Sequence, residues 1–145
     1  MGFGEAVSTC FRKYATFQGR ARRSEFWYYY LFIIIVNAVL TIPLTIALNG
    51  STDGIVVNET TGEITTNGNA SLSVFAIIML IIVGIWALAI LLPTLSVMVR
   101  RLHDADHSGW WWWINLVCFG WIVLLIFWVS EGTRGPNRFG PDPKA

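Results

Sequence analysis

"LSVFAIIMLIIVGIWALAILLPTLSVMV", residues 72–99, runs for 28 residues without one charged side chain. An α-helix needs about 20 apolar residues to cross the hydrocarbon core of a bilayer, so this stretch reads as a membrane span. Lipid offers no partner to a free backbone amide or carbonyl, and a helix is how a single apolar segment satisfies its own. Two further runs of the same kind lie outward from it, "FWYYYLFIIIVNAVLTIPLTIAL" at 26–48 and "WWWWINLVCFGWIVLLIFWV" at 110–129. The first of these is too long for a signal-peptide core and has no small-residue cleavage site, which marks it as a retained anchor.

The composition agrees. Of 145 residues, 54% are hydrophobic and 13% charged, half the charge of an ordinary soluble domain. A net charge of +1 gives no field suited to nucleic acid. Cys10 and Cys118 sit in different settings and form no disulfide framework or zinc spacing. The expected architecture is an all-α membrane protein forming one domain over 1–145, with three transmembrane helices and an irregular tail. The tail, "SEGTRGPNRFGPDPKA" at 130–145, is too rich in Gly and Pro for a regular helix. Before the first span, residues 3–17 repeat apolar side chains at helical spacing beside Arg12 and Lys13. They read as an amphipathic interfacial helix, lying on an anionic leaflet or packed against the protein's own polar loop.

Basic residues orient the spans. Arg12, Lys13, Arg20, Arg22 and Arg23 precede the first, Arg100 and Arg101 follow the second, and the loop 49–71 has no Lys or Arg. The positive-inside rule puts the N-terminus and the turn 100–109 in the cytoplasm and the loop outside. Three full crossings leave Arg134, Arg138 and Lys144 outside; a re-entrant last run returns them to the cytoplasm. Within the loop, "GIVVNETTGEITT" fits a small hairpin, and sequons stand at Asn49, Asn58 and Asn69. In the spans, Asn37 reads as a helix-to-helix hydrogen bonder and Pro93 as a kink.

Charge concentrates in "GRARRSEFW" at 19–27 and "RRLHD" at 100–104. Should the second helix continue past Val99, Arg100, His103, Asp104 and His107 share a face and Arg100 pairs with Asp104. His103 and His107 at i, i+4 lack an adjacent glutamate base, so no metal site is assigned and no cofactor is implied. Ser108 is placed to cap a helix starting near Trp110.

"FQGRARRSEFWYYYLF", "LPTLSVMVRRLHDADHSGWWWW" and "GTRGPNRFGPDP" together resemble domain of unknown function family 805, a family of small bacterial inner-membrane proteins. The resemblance runs nearly end to end and implies a helical inner-membrane fold with no catalytic residue to transfer. It makes Gly19, Arg20, Arg22, Arg23 and Trp27 characteristic in the first motif. In the second it picks out Pro93, Arg100, Arg101, Leu102, His103, Asp104, Ser108, Gly109 and Trp110. In the tail it picks out Asn137, Arg138, Gly140 and Pro143. Where His107 stands the family usually has a basic residue, and its first loop is usually short, which makes 49–71 an insertion.

Two functions from different classes follow. In the first, a non-catalytic binding module, Arg20, Arg22, Arg23, Arg100 and Arg101 converge at the cytoplasmic face on an anionic lipid headgroup or other phosphate-bearing ligand. His103 and Asp104 orient them, since guanidinium meets phosphate oxygens as a planar fork. In the second, a structural or partner-binding subunit, the arginines pair with Glu25, Asp104 and Asp106 to lock helix ends, with another membrane protein or a second copy as partner. Transport has little support, because the spans carry few polar residues at mid-membrane. No nucleophile elbow, carboxylate pair or phosphate loop points to an enzyme.

Overall fold

The computed structural model describes residues 1–50, 55–57, 64–66 and 74–143. Its elements are α1 (Phe3–Arg12), α2 (Arg23–Gly50), a short ribbon of β1 (Ile55–Val57) and β2 (Ile64–Thr66), α3 (Val74–Asp104), a 3-10 helix (Gly109–Leu116) and α4 (Gly120–Val129). The regular elements of the described residues are therefore helical apart from one antiparallel strand pair, in register Val56 to Thr65, within the loop 49–71. That pair is the expected hairpin. Its turn, Asn58 and Asn69 lie outside the described residues.

Helix α2 has 28 residues and α3 has 31. At 1.5 Å per residue they reach about 42 and about 46 Å, more than the roughly 30 Å of hydrocarbon. Both are apolar enough to cross a membrane. Their exposed residues are mainly Ile, Leu, Val and Phe, a surface that suits lipid rather than water.

Contacts divide the chain into two compact units, Ile34–Ala89 and Met1–Ile33 with Ile90–Ala145. In the first, the Trp86 indole N–H donates to Asn37 Oδ1 at 3.0 Å, so Asn37 does join two helices. The Thr41 and Thr45 hydroxyls donate back to the carbonyls of Asn37 and Ile42. Each of these polar groups thus has a bonded partner within an apolar segment.

In the second unit the beginning of α2 lies antiparallel to the end of α3, linked by Tyr29 to Thr94 at 3.2 Å and by Glu25 to Arg100. Helix α1 starts with a partial capping box, in which Glu5 accepts from the Gly2 amide at 3.2 Å. It stops at Arg12 instead of running to Phe17 because Ser96 intervenes: its hydroxyl sits 3.0 Å from the Lys13 carbonyl and 2.6 Å from that of Thr16. Ala6 and Cys10 form the buried stripe of α1, while Phe3 and Phe11 meet Tyr28, Tyr29 and Phe32 edge-on. The helix packs on its own chain at the start of α2, with Phe3, Phe11 and Tyr14 partly exposed.

The third apolar run differs from the expected continuous helix over 110–129. It is a 3-10 helix, a break, and the 10-residue α4 packed back against it. Phe119 takes a left-handed conformation at φ 65°, and the Gly120 amide closes a turn onto the Val117 carbonyl at 2.9 Å. Gly120 is required here, because a Cβ would overlap the Ile114 backbone carbonyl. Helix α4 is only about 15 Å long, half a crossing. Gly120→Ala is therefore expected to cost about 1–3 kcal/mol, seen as a lower thermal midpoint in detergent. Gly84→Ala in α3, with nothing near its added methyl, is the control that leaves the midpoint at or above the original.

Candidate functional site

The two basic clusters and the tail meet. At the centre is Asp104, the last residue of α3 and only 2% exposed. Its Oδ1 accepts from Arg20 Nε and Nη2, both at 2.9 Å, and its Oδ2 accepts from Arg101 Nη1. The arginines' other donors go to backbone oxygens. Arg20 reaches Gly135 O at 2.6 Å and Thr133 O at 2.5 Å. Arg101 reaches Trp128 O at 3.1 Å and Ser130 O at 2.5 Å. Those last two carbonyls close α4, whose final turn has no basic residue of its own. A helix ends with unsatisfied carbonyls and a partial negative charge, and Arg101, fully buried, supplies donor and charge from another helix. Arg23 adds a second bond to Ser130 O at 2.9 Å, the third arginine bond at this helix end.

The end of α3 is capped by the chain's remote segments. Asp106 sits at φ 59°, with His107 N on Leu102 O at 2.9 Å and Asp106 N on His103 O at 3.1 Å, the Schellman pattern. The Ala21 amide donates to Arg100 O at 3.1 Å, the Thr133 amide to Asp104 O at 2.8 Å, and the Asn137 amide group to His103 O at 2.9 Å. This is why an irregular tail is ordered. Asn137 and Gly140 pair as a tight turn that lays Phe139 flat on His103, ring centroids 4.0 Å apart. His103 Nδ1 faces the Gly19 carbonyl at 3.2 Å, so that nitrogen carries the proton. Gly19, at φ 85°, occupies a conformation that other residues avoid. At Gly132 a Cβ would fall on the Asp104 carboxylate, and at Gly109 it would lie 2.7 Å from Val99.

A second buried ion pair joins α2 to α3. Arg100, 0% exposed, bonds Glu25 Oε1 at 2.5 Å, with Nε 3.4 Å from the Ser96 hydroxyl, and its Nη2 has no hydrogen-bond partner among the described residues. Cys10 of α1 covers this pair, Sγ 3.9 Å from the same Glu25 oxygen. Burial first, then the Glu25 carboxylate, pushes the Cys10 thiol up to about 12.

The expected pairing of Arg100 with Asp104 is replaced: Glu25 takes Arg100, and Arg20 and Arg101 take Asp104. Helix α3 does end at Asp104, which leaves His107 off its face and stacked on Phe127 at 4.0 Å. Ser108 caps the 3-10 helix, accepting from Trp110 N at 3.4 Å. Arg22 bonds the Pro143 carbonyl, and Arg138 bonds Asp106 at 3.1 Å near the surface. Trp27 and Trp110 point outward, and Pro93 is buried within α3.

The family described as Protein of unknown function (DUF805) matches residues 14–141, nearly the whole chain. The chain belongs to this family. Among DUF805 relatives, Inner membrane protein YhaI of Escherichia coli (strain K12) is 37% identical over 134 residues, covering 92% of this chain and 90% of that protein. Inner membrane protein YhaH of the same organism is 34% identical over 134 residues, covering 92% and 91%. No solved structure matches. These relatives are inner-membrane proteins, and this chain has two helices long and apolar enough to cross a membrane.

All three stretches that carry the DUF805 resemblance are thus parts of one knot. Sequence reasoning missed Ser96 and Thr133, whose hydroxyls meet carbonyls from remote segments, and Gly132, whose signal is steric, and it gave Cys10 no part. Removing the charge at the centre with Asp104→Asn leaves two arginines buried without their counter-ion, an expected loss of about 3–5 kcal/mol. Asp106→Asn, at an exposed pair, should cost at most about 1 kcal/mol in the same thermal unfolding series. The thiol makes a pH prediction. Its folded pKa lies above the ordinary 9.0, so its protonated form favours the fold. That contribution is complete below pH 9 and is lost as pH rises toward about 12, and Cys10→Ala should flatten this part of the stability profile.

Proposed function

We propose that this chain is a non-catalytic structural module of the inner membrane, a partner-binding subunit whose arginine cluster is an internal lock. One observation carries this reading: Arg20, Arg100 and Arg101 are buried, and they donate to the chain's own carboxylates and carbonyls. A phosphate-binding fork needs donors that face outward, and here Asp104 and Glu25 occupy that place. The lock holds the start of α2, the end of α3, the end of α4 and the tail in one arrangement, presenting the rest of the surface to lipid and to a partner, another membrane protein or a second copy. By the positive-inside rule the lock faces the cytoplasm, and the N-terminus with it.

The anionic-lipid reading keeps support in a narrower form. The Arg23 side chain is 37% exposed and that of Arg134 94% exposed, each within 4 Å of the exposed Glu131. Such residues attract an anionic surface at about 1 kcal/mol each without forming a shaped site.

Arg101→Lys separates the two. A lysine keeps the charge but not the fork that reaches Asp104, Trp128 O and Ser130 O, so the lock predicts a fall in thermal midpoint nearly as large as for Arg101→Gln. Native mass spectrometry of the detergent-purified protein beside the Arg100→Gln, Arg101→Gln variant is the second measurement. An anionic lipid retained by the original and lost from a variant of unchanged stability overturns the lock in favour of a ligand site.

A further inference from the structure

The third apolar run begins and ends at the same place. At its start, Ser108 and Gly109 follow directly on the cap of α3, with Gly109 packed on Val99. At its end, the Trp128 and Ser130 carbonyls are held by Arg101, and the Trp128 ring lies 5.2 Å from that of Phe26 in the first turn of α2. The tail beyond is bound to Arg20 and Arg22, the segment that precedes α2. Between these ends are two arms of matched length. The 3-10 helix rises about 16 Å over its 8 residues and α4 about 15 Å over its 10.

No charged residue occurs from 110 to 129. The tip is bare: Leu116 is 75% exposed and Phe119 68%, with Val117 and Cys118 exposed between them. On α4 only Gly120 and Leu124 are buried, so its apolar surface extends round most of the helix. A helix apolar all round is one made for lipid, whereas a subunit interface needs one apolar stripe. Part of the backbone of the break is also satisfied internally. The amides of Val117, Gly120 and Ile122 all find carbonyls, at 2.9, 2.9 and 3.0 Å.

We infer that residues 110–129 form a re-entrant hairpin, inserted from the side of the arginine cluster to about the middle of the bilayer and covered by the acyl chains of that one leaflet. Helices α2 and α3 are then the two full crossings. Both termini lie on one side, and Arg134 and Arg138 join Arg12, Lys13 and Arg20–Arg23 there, which removes the conflict between a third crossing and the positive-inside rule. The hairpin displaces lipid in one leaflet and leaves the other untouched.

The full-length protein tests this at two points. Cysteines placed one at a time at Ser8, at Thr61 in the loop 49–71 and at Arg134 are introduced into a Cys118→Ala background and exposed to a membrane-impermeant maleimide on spheroplasts and on inverted vesicles. The cysteine at 134 should react from the side that labels position 8, with 61 reacting from the other. Reaction of 134 from the side of 61 establishes a full crossing and overturns the proposal. Depth is read in the original chain, whose Cys118 is exposed while Cys10 is buried and its thiol protonated. A fluorophore on Cys118 in vesicles of defined phospholipid should be quenched more by nitroxides at the acyl-chain end than by nitroxides near the headgroup. Stronger headgroup quenching means an interfacial hairpin, and quenching by neither with Cys118 cross-linking between chains means a second copy covers the tip. Either result overturns the proposal.

Discussion

Asp104 places one negative charge between two guanidinium groups, those of Arg20 and Arg101, and nearly everything else in this part of the molecule is arranged so that this can happen away from water. Two cations against one anion leave a unit of positive charge. Four backbone carbonyls absorb it: Gly135 and Thr133 around Arg20, Trp128 and Ser130 around Arg101. Two of the four close α4, where the peptide dipoles already gather negative charge. The arginines are thus neutralised by one carboxylate together with a helix end and an irregular chain.

Buried charges are poor sources of net stability, because dehydrating them costs about what their attraction returns. Their value here is selective. A lipid-covered pair of helices can slide or rotate with little penalty, since one apolar contact resembles another. The Arg100–Glu25 pair and the Arg20–Asp104–Arg101 group admit one register between α2 and α3. Phe139 on His103 and Asn137 on the His103 carbonyl then tie the tail to that register. DUF805 is recognised by three separated stretches, and the structure gives the physical reason they go together: each completes hydrogen bonds that the other two leave open.

Much of this was legible in advance and some was not. Length and apolarity announced α2 and α3, and Ser108 announced the cap of the 3-10 helix, because these depend on neighbours in sequence. The convergence of "GRARR" with "RRLHD" followed from the spacing of charge along the spans. The partners did not follow. Arg100 and Asp104 are four apart on one helix, yet each is claimed by a residue from elsewhere, as happens when burial makes the best-shaped partner win over the nearest. The division of 110–129 was hidden for a related reason: twenty apolar residues satisfy any length criterion, and what breaks them is the close approach of Gly120 to the Ile114 carbonyl, a three-dimensional fact.

The oxygens that receive Arg20 belong to Thr133 and Gly135, and Arg22 waits for Pro143. A chain is made from its N-terminus, so these acceptors leave the ribosome after both long helices. Through most of synthesis the arginines have no acceptor from the tail and stay hydrated at the membrane surface, where their charge holds the first span in orientation. Only when residues 133–143 arrive does the same charge pass from guiding insertion to closing the fold. A message truncated before codon 133 would yield both long helices with Arg20 and Arg22 lacking their tail acceptors, a product that the cell's quality control has reason to remove.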